Sequence, residues 1–143
     1  MQEAIPGLVS VVIPVYNRSG MLRRAVDSVL AQTWSQFEVI ISDDGSTDDT
    51  PGFIESLCCA YPDRIRSVRN SNQGPGLAHE AGRQLVRGEF IQYLDSDDLL
   101  STACGHARLV KAAGCRCCMS GIRRRQRKRT GPATANCMMR KWQ

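Results

Sequence analysis

Four strand-like runs punctuate the first hundred positions of this chain: LVSVVIPVY at 8–16, FEVIIS at 37–42, the alternating IRSVRN at 65–70 and EFIQYL at 89–94. The first is unbroken and β-branched, which suits a strand buried on both faces. Helical spacing fills the gaps between them. Met21, Leu22, Ala25, Val26, Val29 and Leu30 form one stripe, with Ser19 placed to cap it and Arg23, Arg24, Asp27 and Gln32 facing outward. Phe53, Ile54, Leu57, Cys58 and Tyr61 mark a second helix that stops before Pro62, and Leu77, Ala81 and Leu85 a third that ends near Gly88. The order β-α-β-α-β-α-β predicts an α/β fold, a largely parallel sheet with helices on both faces. Ligands of such sheets gather at the carboxyl ends of the strands.

Those ends carry the polar residues of interest. Pro14-Val15-Tyr16-Asn17 closes the first run, Asp43-Asp44 the second and Asp95-Ser96-Asp97-Asp98 the fourth. Three carboxylates in four positions repel one another unless cations or hydrogen-bond donors compensate them. A divalent metal resolves the conflict, and oxygen-only ligation favours Mg²⁺ or Mn²⁺, completed by water and phosphate oxygens. The plainer alternative is a solvated acidic turn. If the three strand ends converge, Tyr16 is placed to stack on a base and Asp44 to accept a pyrimidine N–H or a ribose hydroxyl. Asp95 and Asp97 would then hold ribose and metal-bound diphosphate. Strand-end packing for Tyr16 and an Asx-turn for Asp43 and Asp44 are the competing readings.

The combination resembles a family. VSVVIPVYNR at 9–18, SVLAQT at 28–33, FEVIISDDGSTDDT at 37–50, NQGPGLAHEAGR at 72–83 and GEFIQYLDSDDLL at 88–100 stand in the order and spacing of the nucleotide-sugar-binding half of the inverting family-2 glycosyltransferases. The resemblance spans about residues 8–100. It implies a partial, Rossmann-like GT-A fold, a UDP- or dTDP-sugar donor (GDP in some members) and a Mg²⁺ or Mn²⁺ ion between carboxylate and diphosphate. By the same resemblance Pro14, Tyr16 and Asn17 form the first nucleotide-contacting segment, and Asp44 is the base-contacting acid. Asp95-Ser96-Asp97 stands as the Asp-x-Asp motif, with Asp97 the first choice of metal ligand and Asp98 the second. One departure is Ala78-His79-Glu80, where the family often shows Ala-Arg-Asn; His79 reads on its own as an exposed helical residue.

A second departure concerns charge. Residues 1–98 hold 8 arginines and all 14 acidic residues, a net charge of −6, whereas residues 99–143 hold 11 Lys/Arg and no acid, a net of +11. An inverting transferase requires a general base to deprotonate its acceptor, and the family carries it downstream of the Asp-x-Asp motif. No acidic residue follows Asp98 here. The expectation is therefore a donor-binding half-domain at 1–100, poorly active or inactive by itself, toward an unknown acceptor. A basic tail at 101–143 follows, expected to be disordered apart from two helical turns over 106–113, with a frameshift or premature end as the hypothesis for its composition. The rival reading takes the tail as a polybasic segment that binds nucleic acid or an anionic membrane surface, with the acidic half a non-catalytic carrier.

The remaining classes fit less well. No stretch reaches the roughly 20 apolar residues of a membrane span, and Met1–Pro6 has no secretory pattern, so a cytoplasmic protein, at most peripheral at the membrane, is expected. The 7 cysteines read as reduced thiols, and Cys115-x-Cys117-Cys118 lacks zinc-site spacing. A dinucleotide-binding Rossmann fold needs glycines where Asn17-Arg18-Ser19 stands, and a haloacid-dehalogenase phosphatase needs Thr where Leu99 stands. A four-strand half-sheet exposes an edge, so self-association is expected.

Overall fold

A computed structural model of the chain describes residues 3–100 and the pair 140 and 141. The expected helix at 106–113, the basic run and cysteines 104 to 137 lie outside the described residues. Strands and helices alternate: β1 Ile5–Val15, α1 Ser19–Leu30, β2 Phe37–Asp43, α2 Thr50–Ala60, β3 Ile65–Arg69, α3 Pro75–Gln84 and β4 Gly88–Tyr93, with a short β5 at Arg140–Lys141. The sheet order is β3-β2-β1-β4-β5. β1 to β4 run parallel, and β5 joins β4 antiparallel.

Because side chains alternate along a strand, each strand feeds two layers. Val11, Ile13, Val15, Val39 and Ile41 meet Leu22, Ala25, Val26 and Val29 of α1 and Ile54 of α2 in one core. Val12, Ile40 and Ile91 form a second, smaller core with Leu85, Val86 and Tyr93. Both faces of β2 are covered, so all seven of its residues are buried. Among the described residues, no helix is long and apolar enough to cross a membrane.

Three local expectations are corrected. Met21 is exposed, so the buried stripe of α1 is narrower than its apolar residues indicate. Ser19 does not cap α1; its hydroxyl donates to Asp49 Oδ1 at 2.7 Å, joining α1 to the loop before α2. The largest change concerns α3, which buries Ala78 and Gly82 while Leu77 is exposed. Its packing depends on smallness, since a Cβ on Gly82 would stand 2.5 Å from Val12 Cγ1.

Beneath that second face lies a polar cluster. Glu38, 2% exposed, accepts the Ser10 hydroxyl at 2.5 Å, the Arg87 N–H at 2.8 Å and the Arg87 Nε–H at 2.9 Å. Arg66 reaches the same carboxylate at 3.1 Å. Burial alone would raise this carboxyl, but the Ser10 hydroxyl, the Arg87 donors and the Arg66 charge hold it below the usual glutamate range.

Candidate functional site

The carboxyl ends of β1 and β4, the loop after β2 and the start of α3 enclose a cleft of about 280 Å³. Its walls are Pro14, Val15, Tyr16 and Arg18 from the first strand end, Asp44 from the second, Asp95, Ser96 and Asp97 from the fourth, and Pro75, Ala78 and His79 from α3. The strand ends converge because hydrogen bonds tie the loops together. The Asp44 N–H donates to the Val15 carbonyl at 2.9 Å, and the Leu94 N–H to the Val12 carbonyl at 3.0 Å. The Asn17 N–H donates to Ser46 Oγ at 2.9 Å.

The adjacent carboxylates of the second strand end divide their roles. Asp43 Oδ1 accepts the Ser46 N–H at 3.0 Å, the turn-fixing bond of an Asx motif, and Arg69 Nε lies 3.7 Å from its other oxygen. Asp44 faces the cleft, and its two oxygens accept the Gln73 and Gly74 N–H groups, each at 2.9 Å. Those two bonds hold the loop that opens α3. A carboxylate has about four lone-pair positions, so Asp44 keeps acceptor capacity toward a ligand.

The fourth strand end alternates. Asp95 and Asp97 are exposed to the cleft, whereas Ser96 and Asp98, which alternate with them, are buried. The turn is closed by the Asp98 N–H, which donates to the Asp95 carbonyl at 3.0 Å. Asp98, the second choice of metal ligand, does not line the cleft. Asn17 is likewise outside it, because its side-chain carbonyl accepts the Thr47 N–H at 2.8 Å and the Asp48 N–H at 3.3 Å. Tyr16 does line it and is 42% exposed, so its ring is not absorbed by strand-end packing.

Two wall residues escape a reading based on motifs. His79, expected on an exposed helical face, is half-buried, with its ring edge-on to Tyr93 at 5.1 Å. Arg18, read from sequence as a turn residue, brings Nη1 to 3.9 Å from Asp97 Oδ2. Its place directly after Asn17, at a strand end, was the signal available.

The cleft thus presents three carboxylates, one guanidinium, one imidazole and one exposed aromatic ring. Among the described residues, no three Asp, Glu, His or Cys side chains come together to hold a metal by themselves. Asp95 and Asp97 are nevertheless a fitting donor set for Mg²⁺ or Mn²⁺, which bind through one or two carboxylates with phosphate oxygens and waters in the other positions.

Comparison with known proteins agrees with this arrangement. A family model described as glycosyl transferase family 2 matches residues 10–113. An uncharacterised glycosyltransferase of a Nostoc species is 45% identical over 91 residues, 64% of this chain and 28% of that protein. Among solved structures, Staphylococcus aureus TarS 1–349 in complex with UDP-GlcNAc is 27% identical with a TM-score of 0.60, over 67% of this chain and 28% of the other. A mannosyltransferase from Pyrobaculum calidifontis, in complex with GDP-Man and Mn²⁺, is 25% identical with a TM-score of 0.61, over 66% of this chain and 29% of the other. The chain thus spans less than a third of the length of each of these proteins.

Proposed function

Because the chain belongs to glycosyl transferase family 2 and carries a partial GT-A fold, we propose that its cleft binds a nucleoside-diphosphate sugar together with Mg²⁺ or Mn²⁺. The observation that carries this reading is the convergence of Tyr16, Asp44, Asp95 and Asp97 on one cleft at the strand ends. In it Tyr16 and Pro14 contact the base, Asp44 accepts a base N–H or ribose hydroxyl, and Asp95 lies toward the ribose. Asp97 holds the metal, which when bound neutralises charge developing on the diphosphate leaving group. Solved relatives bound to UDP-GlcNAc and to GDP-Man support a nucleotide-sugar donor without choosing its base.

Transfer also requires a base on the acceptor side. No acidic residue follows Asp98, so the proposal for these 143 residues is donor binding with little or no transfer, the 1–100 segment acting as the donor half. Calorimetric titration of UDP, dTDP and GDP, with and without Mn²⁺, tests it. Metal-dependent binding of at least one nucleotide, lost in Asp97→Ala, is expected; a folded chain that binds none of them sinks the reading.

The net charge of +11 over 99–143 favours a second function for that segment, attachment to an anionic membrane or nucleic acid. Salt-sensitive binding to anionic vesicles or RNA, abolished by deleting residues 120–143, is its test.

A further inference from the structure

The strongest unabsorbed feature of the cleft is its arginine. Arg18 lies between the end of β1 and the first turn of α1, and it shares a wall with Tyr16 while facing Asp95 and Asp97. Its backbone is anchored on both sides. The preceding Asn17 is bonded to Ser46 and Thr47, and the Arg18 carbonyl accepts the Leu22 N–H at 2.9 Å, which starts the helix. The side chain is different: it is 53% exposed, and among the described residues its guanidinium makes no hydrogen bond. Its nearest acid, Asp97 Oδ2, stands 3.9 Å away, beyond hydrogen-bond reach. A rigid stem therefore presents five uncommitted N–H donors to a cleft that otherwise carries three carboxylates.

That geometry has a chemical consequence. A guanidinium beside Asp97 offsets part of the negative field that would attract a divalent cation, so it weakens binding of the bare metal. The same planar fork matches two phosphate oxygens at once, a geometry that lysine's point charge does not reproduce. An incoming diphosphate gives the guanidinium a better partner than Asp97 and frees that carboxylate for the metal.

We infer that Arg18 is a diphosphate-binding residue of this cleft, and that by exchanging Asp97 for the diphosphate it makes metal and nucleotide bind as a pair. The inference rests on the donor-binding reading above and adds to it a residue and an order of events. Coupling of this kind is reciprocal: whatever the nucleotide adds to metal affinity, the metal adds to nucleotide affinity.

The test uses the full 143-residue chain, its Arg18→Ala and Arg18→Lys variants and three probes: Mn²⁺ alone, followed by the paramagnetic signal of free Mn²⁺; UDP (or dTDP or GDP, whichever the unmodified chain binds) with saturating Mn²⁺; and the corresponding nucleoside. Arg18 is exposed, so both variants are expected to fold, and their thermal melts establish it. Arg18→Ala should bind the nucleoside diphosphate about tenfold more weakly or worse, bind the nucleoside as before, and bind Mn²⁺ alone at least as tightly as the unmodified chain. Arg18→Lys should recover only part of the diphosphate affinity. Unchanged diphosphate affinity in Arg18→Ala, or equal losses for nucleoside and diphosphate, would overturn the inference while leaving the donor site intact. A folded, unmodified chain that binds no diphosphate overturns both.

Discussion

Asn17 and Thr47 join the first two strand ends: the Asn17 side-chain carbonyl accepts the Thr47 N–H at 2.8 Å, across 30 positions of sequence. Asn17 does this from a left-handed backbone, with φ of 50°, a conformation that asparagine tolerates better than most residues. Asn17→Ala should therefore lower stability by about 1–2 kcal/mol, through lost loop hydrogen bonds and backbone strain together. Asn17→Gly, which relieves only the strain, should fall between. Urea unfolding of the three proteins measures the order; an alanine variant as stable as the parent would show that the junction is held by other contacts.

Asp44 is bonded to the loop before α3 and also faces the cleft. Asp44→Ala removes acceptors from the Gln73 and Gly74 N–H groups, and should lower both the melting temperature and the nucleotide affinity. Asp44→Asn retains one oxygen and should keep more of the stability than of the affinity, since its amide presents a donor where a base N–H would need an acceptor. Equal retention of both quantities in the asparagine variant would separate Asp44 from nucleotide binding.

Two glycines of α3 make opposite forecasts. Gly76 has open space around its Cβ direction, so Gly76→Ala should stabilise the chain by about 0.4–1 kcal/mol by restricting the unfolded state. At Gly82 the added methyl would meet Val12, a stiff and fully buried side chain, so Gly82→Ala should destabilise by about 1–3 kcal/mol despite alanine's better helix propensity. Thermal melts of the two variants shifting in the same direction would contradict the close seating of α3.

Acid should weaken the fold through Glu38. Its carboxyl lies below the usual range, so the folded state binds that proton less readily than the unfolded state does. The stabilisation is complete above the ordinary glutamate value of about 4.3 and disappears as pH falls through the lower folded value. Glu38→Gln should flatten that acid limb and lower stability at neutral pH by about 2 kcal/mol, because Arg66 and Arg87 lose their shared anion. Urea midpoints collected down to about pH 3 check the limb; an identical acid dependence in both proteins would place the sensitivity elsewhere.

How far the amino-acid order reveals this molecule depends on what each contact requires. The inner strands are legible because a parallel sheet covered on both faces demands apolar runs, and FEVIIS meets that demand apart from Ser42 at its end and the charged Glu38 within it. The charged exception is invisible locally, since its partners Ser10, Arg66 and Arg87 come from three distant segments. The face of α3 is misread at Leu77, which is exposed while Ala78 and Gly82 are buried, because close approach to the sheet selects for small volume, which hydrophobic periodicity does not register. Tyr16, Asp44, Asp95 and Asp97 are legible as strand-end residues, but the alternation that buries Asp98 and Ser96 while exposing Asp95 and Asp97 depends on the fold of one turn. Arg18 is ordinary in sequence, and only the convergence of β1 with β4 sets it beside Asp97.

The seat of Gly82 against Val12 has a consequence for recognition. A helix whose backbone rests directly on the sheet's side chains, with none of its own between, has little room to rock or slide, so the wall it contributes through Pro75, Ala78 and His79 is ordered when the chain folds. Little of the conformational entropy of that wall is then left to lose when a ligand arrives. The cleft is preorganised on its α3 side, and adaptation to ligands of different size falls to the exposed side chains of Tyr16, Arg18, Asp95 and Asp97 opposite it.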